Sequence, residues 1–297
     1  MSPVTSPDGR GGRTSDAGNA TEKVMRLLEA TAAPGGPHRL GAIAAAACVP
    51  KASSHRILQL LVAGSFLTSD GQGRYAPGPR LRALSAEVCA AGDAGIDAEL
   101  AALQRHTGNT VHLALRSGDY AIYTHKVQSS QPVQMASRVG MRMPLHSTAI
   151  GKCILSGFGE AELTDFAARA ALPARTGRTL TDLGRLRAEL EAVRRQGFAV
   201  DDEENEATIR CLGAPLRGQD GTVIGGVSIS TVTFVVPRDE LLGWAGALCQ
   251  TAAAISAGLR SGLFRHDYRV LAVGGDTALA GRGTRQAVTQ VTSRPWS

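Results

Sequence analysis

The chain has 297 residues, 43% of them hydrophobic, and a mean hydropathy of −0.04. That leaves room for two domains with real cores and excludes a disordered or collagen-like chain. The net charge of +6 is unevenly placed: residues 1–80 hold nine Lys/Arg against five Asp/Glu, residues 261–297 five against two, and residues 81–260 eighteen against nineteen. A basic N-terminal part on a neutral body suits a nucleic-acid partner, although an Arg-rich solvated surface would give the same balance.

Residues 1–18 read as a polar, Gly-rich leader with no apolar signal-peptide core, and are expected to be disordered. A helix is predicted over about 20–32 with Val24, Leu27 and Leu28 as its apolar face, stopped by Pro34-Gly35-Gly36. A second fits Leu40–Ala47, and a third fits Lys51–Ala63, opened by Pro50 and stopped by Gly64. Strands Ser65–Thr68 and Arg74–Ala76 flank Ser69-Asp70-Gly71-Gln72-Gly73, which is hairpin chemistry. Three helices and a hairpin make a winged helix-turn-helix over 19–79. Residues 80–96 are expected to link it onward through a helix over 80–90, with Leu81, Leu84 and Val88 on one side.

From residue 97 helices and strands mix. Helix 97–107 leads to strand Thr110–Leu115, a turn at Ser117-Gly118-Asp119 and strand Tyr120–Val127. Ser147 and Thr148 open a helix to about Ser156, and helices follow near 160–170 and 182–196. Strand Phe198–Val200 precedes strands Ile209–Leu216 and Val223–Ser230, joined by Gln219-Asp220-Gly221, and a long helix over 238–262 closes the domain. Within it the uncharged stretch 241–259 carries Leu241, Ala245, Leu248, Ala252, Ile255 and Leu259 at helical spacing, too rich in Ala and Gly to span a bilayer. The fold class expected is α+β: a winged helix-turn-helix, then a GAF/profilin-like α+β sensor domain over 97–264 and a disordered basic tail over 265–297.

The five cysteines, Cys48, Cys89, Cys153, Cys211 and Cys249, form no CxxC pair, so neither a zinc site nor a disulfide framework is expected. A reducing cytoplasm is the simplest setting. No cofactor motif and no metal spacing is legible.

On the third helix, Ile57, Leu60 and Leu61 are read as anchors to the core. Lys51, Ala52, Ser53, His55, Arg56 and Gln59 then face outward, and Arg74 on the wing joins them. A small, basic face on the first turns of such a helix suits the DNA major groove. The run Val49-Pro50-Lys51-Ala52-Ser53-Ser54-His55-Arg56-Ile57-Leu58 resembles the recognition helix of IclR-type regulators. It departs at Cys48, where that family usually has the turn Gly, and at Ser54, where a buried Val is common. A non-Gly residue in a left-handed turn costs on the order of 1 kcal/mol.

Further on, Arg142-Met143-Pro144-Leu145-His146-Ser147-Thr148-Ala149-Ile150-Gly151-Lys152 is similar to the central motif of the same family. So are the runs Gly197–Glu206, Ile209–Pro215 and Val227–Ser230, all in the family's order, so the likeness covers about 20–262. The residues also make chemical sense. Ser147 and Thr148 can cap a helix whose first N–H groups, at Ala149 and Ile150, are free for an anion. Ser228 and Ser230, two apart on a strand, point to one face, where Cys211 on the paired strand can join them. Met135 and Met143 offer pliable apolar walls.

The resemblance implies that Met135, Ala149, Ile150, Asp201, Cys211, Ser228 and Ser230 surround a small organic-acid effector; Met143 and Ile209 belong to the same candidate set. Plainer readings stand beside each: Cys211 as a small buried residue, the acidic run 201–206 as a solvated turn with one or two structural carboxylates, His146 as a structural histidine, Lys152 as a local charge complement. The Ser pair could equally satisfy backbone groups in a closed core. Together these features predict a cytoplasmic, non-enzymatic DNA-binding regulator, a dimer or dimer of dimers on a palindromic operator in double-stranded DNA, controlled by a small carboxylate. Alternatives are a thiol enzyme built on Cys211, His146 and Asp201, and an adaptor that uses its winged helix for protein contacts.

Overall fold

A computed structural model of the chain describes residues 19–261 other than 34, 91–93 and 133–134. The expected leader and tail therefore lie outside the described residues. The chain divides into two compact units, one ending at residue 91 and the other beginning at residue 92.

In the N-terminal unit, α1 (Ala20–Ala32) starts at Asn19, whose side chain accepts the Thr21 N–H at 2.9 Å. It is followed by β1 (His38–Arg39), α2 (Leu40–Ala46), α3 (Lys51–Ala63), β2 (Leu67–Ser69), β3 (Arg74–Pro77) and α4 (Pro79–Ala90). The wing sheet runs β1-β3-β2. β1 is an addition to the expected hairpin: two residues are too short to show a period, and pairing of His38 with Tyr75 and Arg39 with Arg74 creates them as a strand. Leu27, Ile43, Ala47, Val49, Ile57, Leu58, Leu67 and Tyr75 form the core.

Both departures at the α2–α3 turn have a visible consequence. Cys48 takes the left-handed conformation at φ 51°, so this turn keeps the geometry a glycine would favour. Ser54 is fully buried, and its hydroxyl lies 3.2 and 3.1 Å from the carbonyl oxygens of Val49 and Pro50, on which its proton is shared. The hydroxyl thus fastens α3 to the turn that precedes it. At the wing tip one Asp70 carboxylate oxygen accepts the N–H groups of Gln72 (2.8 Å) and Arg74 (3.0 Å), and Gly71 and Gly73 take positive φ.

Two expectations need correction. Leu60 is 63% exposed, not an anchor: Ile57 and Leu58 fill the core and leave it on the outer side of α3. Leu84 is 45% exposed and does not join the apolar side expected of α4, whereas Leu81 is half-buried; the side chain of Val88 lies outside the described residues.

The C-terminal unit is a six-stranded antiparallel sheet in the order β6-β5-β4-β9-β8-β7. Its elements are α5 (Ala94–Thr107), β4 (Thr110–Ser117), β5 (Tyr120–Val127), β6 (Arg142–Pro144), α6 (Ala149–Leu155), α7 (Glu160–Ala170), α8 (Leu183–Gln196), β7 (Ala199–Asp202), β8 (Ile209–Arg217), β9 (Val223–Val232), α9 (Arg238–Gly243) and α10 (Ala245–Ser261). One face packs on α5 and α10 through Leu100, Val111, Leu113, Val227, Ile229, Leu248 and Ile255. The other packs on α6, α7 and α8 through Ala114, Ile150, Ile154, Phe166, Leu186 and Leu190.

The predicted closing helix is broken at Trp244 into α9 and α10. The missed strand β6 is three residues long and exists through its pairing with Tyr120–Ile122. β7 extends two residues beyond its expected end, so Asp201 is a buried carboxylate on a strand and the turn begins after Asp202.

Candidate functional site

The sheet brings four chemically active positions into line. Across β7, β8, β9 and β4, Asp201 stands opposite Cys211, Cys211 opposite Ser230, and Ser230 opposite Thr110. The next rung on the same face carries Gly213, Ser228 and His112. Strand alternation explains the sorting, since Val227 and Ile229 point the other way into the α5–α10 core.

Above these rungs lies a cavity of about 240 Å³. All nine candidate residues line it: Met135, Met143, Ala149, Ile150, Asp201, Ile209, Cys211, Ser228 and Ser230. Gly213 is what lets the start of α6 close one end, because a Cβ there would stand 2.8 Å from the Ala149 carbonyl carbon. Thr148 caps α6, accepting the Gly151 N–H at 3.1 Å, while its own hydroxyl donates to Pro144 O at 2.7 Å. Ser147 is not the cap; its hydroxyl donates to Asn205 Oδ1 at 3.3 Å.

Sequence reasoning missed His112, Tyr123, Ser137 and Asn205 on the cavity wall. His112 is 1% exposed, stacks on Tyr123 at 4.3 Å between ring centroids, and lies 2.7 Å from Ser137 Oγ through Nε2 and 3.3 Å from Ser230 Oγ through Nδ1. The one available signal was period-2 alternation in β4, which places His112 opposite in sense to Val111 and Leu113. Which strand lies beside β4 is decided by tertiary pairing. Lys126 Nζ donates to the carbonyls of Met135 (2.9 Å) and Ser137 (2.6 Å) and so ties this part of the β5–β6 connection to the sheet.

Burial sets the ionisation of the cavity. It pushes His112 down to about 3, with help from the Lys126 ammonium, so the imidazole is neutral near pH 7. Burial also pushes Asp201 up to about 7, against the Glu204 and Asn205 N–H groups that one of its carboxylate oxygens accepts at 2.8 and 3.3 Å. On α6, Lys152 is fully buried between Glu204 (2.6 Å) and Glu189 (2.9 Å), whose carboxylates keep it charged in spite of burial. Lys152 and Glu204 are therefore structural, and His146 is too: its Nε2 lies 3.0 Å from Pro173 O.

The surroundings of Cys211 do not suit a nucleophile. Cys211 donates to Ser230 Oγ at 3.2 Å, and burial and Asp201 push its thiol up, the reverse of an activated nucleophile.

In the N-terminal unit, Lys51, Ala52, His55, Arg56, Gln59 and Arg74 are exposed and Ser53 half-buried. Gln59 is less free than expected, because its Nε2 donates to the Tyr75 hydroxyl at 3.2 Å and joins α3 to the wing. Among the described residues no helix is long and apolar enough to cross a membrane.

Comparison with known proteins places both units. The family described as "Bacterial transcriptional regulator IclR C-terminal" matches residues 95–257, and "IclR helix-turn-helix domain" matches residues 20–71. The HTH-type transcriptional regulator XynR of Escherichia coli K12 is 32% identical over 212 residues, covering 70% of this chain and 84% of that protein. The crystal structure of the Thermotoga maritima IclR has 31% identity and a TM-score of 0.65, covering 81% of this chain and 98% of that one. An IclR homologue from Microbacterium hydrocarbonoxydans, crystallised with 4-hydroxybenzoate, shares the fold at 21% identity and a TM-score of 0.69, covering 82% of this chain and all of that one.

Proposed function

The chain belongs to the IclR family of DNA-binding transcriptional regulators, and on that premise we propose that its C-terminal cavity receives a small carboxylate that changes how the N-terminal unit holds DNA. The single observation that carries the reading is the gathering of Ser228, Ser230, Cys211, Asp201 and His112 around one methionine-walled cavity. Hydroxyl donors and the first N–H groups of α6 offer hydrogen bonds to an oxyanion. Asp201 in its neutral form adds an O–H donor where an ionised carboxylate would repel. The homologue crystallised with 4-hydroxybenzoate shares the fold alone; the donors lining this cavity suit the small organic acid that the family resemblance implies.

On the DNA side, Lys51, Arg56 and Arg74 provide charge for phosphates, and Ala52, Ser53 and His55 a low face that can approach base edges, with Gln59 held against the wing. The operator is proposed to be palindromic and the protein a homodimer or dimer of dimers in the cytoplasm, since paired half-sites need paired recognition helices.

The test is a thermal-shift screen of the full chain against small carboxylic acids, followed by operator gel shifts with and without each hit. Ser228→Ala with Ser230→Ala is expected to abolish the effect of the acid on operator affinity. A double variant that responds as fully as the wild type would place the effector elsewhere.

A further inference from the structure

His112 stands between two hydroxyls on the cavity wall. Its two ring nitrogens each face a serine hydroxyl, Ser137 Oγ at 2.7 Å and Ser230 Oγ at 3.3 Å, and both serines line the cavity. A neutral imidazole donates at one nitrogen and accepts at the other, so the two hydroxyls receive opposite instructions.

Resting on the reading of this cavity as the effector site, we infer that His112 polarises its two neighbours: Ser230 offers the ligand a hydrogen-bond donor, Ser137 offers an acceptor, and the cavity therefore prefers acids that carry a hydroxyl over their plain counterparts. The inferred tautomer follows from the pair of lengths: 2.7 Å to Ser137 is the usual length for an O–H donor, and 3.3 Å to Ser230 is too long for one. Ser137 thus donates to Nε2, and Nδ1–H donates to Ser230 Oγ.

Ser230 Oγ also accepts the Cys211 thiol proton at 3.2 Å. Its two acceptor positions are then used, and its own proton is left for the cavity. Ser137 has spent its proton on His112 and can only accept. The arrangement is held from outside: Tyr123 stacks on the ring, and Lys126 fixes the carbonyls of Met135 and Ser137, which sets where the Ser137 hydroxyl stands. Burial keeps His112 neutral across the working range. His112 is a positioning residue here, and Ser137 the specificity-determining contact it prepares.

The experiment is calorimetric titration of the full-length protein with three probe pairs that differ by one hydroxyl: glycolate and acetate, lactate and propionate, 4-hydroxybenzoate and benzoate. In at least one pair the wild type is expected to bind the hydroxylated acid about tenfold more tightly, the worth of roughly one satisfied hydrogen bond. His112→Phe keeps a flat ring against Tyr123 and removes both nitrogens; Ser137→Ala removes the acceptor from a half-exposed connection without touching the core. Each is expected to bring the ratio within a pair to about one or two.

If the wild type binds none of the six acids, or if Ser228→Ala/Ser230→Ala binds them as the wild type does, the cavity reading falls and this inference with it. Binding with a ratio near one in every wild-type pair overturns the inference alone. So does a ratio that Ser137→Ala leaves unaltered, whatever His112→Phe does.

Discussion

The two units put polar groups to opposite uses. In the N-terminal unit the functional face is what the core leaves outside: Ile57 and Leu58 go in, and Lys51, Ala52, His55 and Arg56 remain in water. In the C-terminal unit the functional groups are inside, with Asp201, His112, Ser228 and Ser230 all nearly buried. The exposed face acts through charges that salt screens. The enclosed one acts through groups whose ionisation burial has moved, so that single atoms matter more. A face open to solvent can also change with little harm to the fold, whereas the cavity shares its strands with the core.

That contrast can be broken or sharpened by experiment. The largest effect is expected from Gly225→Ala on β9, where a Cβ would stand 2.2 Å from Ala114 O. Overpacking the central β4–β9 pair should cost about 3 kcal/mol or more. Both tryptophans, Trp244 and Trp296, lie outside the N-terminal unit, so a fluorescence melt reads the C-terminal part. A melting temperature within a degree or so of wild type would show that this strand pair yields more readily than a shared core should.

Next comes Lys51→Ala with Arg56→Ala, expected to weaken operator binding by about 30-fold and to lower the slope of log K against log salt by about two. Melting should hardly move, since both side chains are exposed. An unchanged gel-shift affinity would remove this face from the DNA interface.

A smaller, about tenfold, effect belongs to pH. Asp201 ionises near 7, being held above its ordinary value by burial. As pH rises from 6 to 8 it turns from a donor to an anion, so carboxylate binding should weaken over that interval, and Asp201→Asn should flatten the profile. Binding that tightens with pH, or a slope that survives in Asp201→Asn, would assign the titration to another group.

The smallest effect is expected from Cys48→Gly. Relieving a side chain at φ 51° should raise stability by about 0.5 kcal/mol, a shift of a degree or two in a denaturation curve. Destabilisation would mean that the Cys48 side chain contributes more than its backbone costs.

Helical periodicity, the turn residues and the stops at Pro34-Gly35-Gly36 and Gly64 determined nearly every long element, because those signals act within a few residues. They also determined the outward basic face of α3 and the pairing of Ser228 with Ser230 on one side of a strand. The misses share a cause. β1 and β6 are strands through their partners, Leu60 is exposed because Leu58 has taken its place in the core, and Asp201 and His112 owe their ionisation to burial by residues distant in the chain. The cavity was legible as a set of candidate residues. That these residues enclose one space, joined by His112, Tyr123 and Ser137, was decided by strand order, since only the β7-β8-β9-β4-β5 succession brings the positions together.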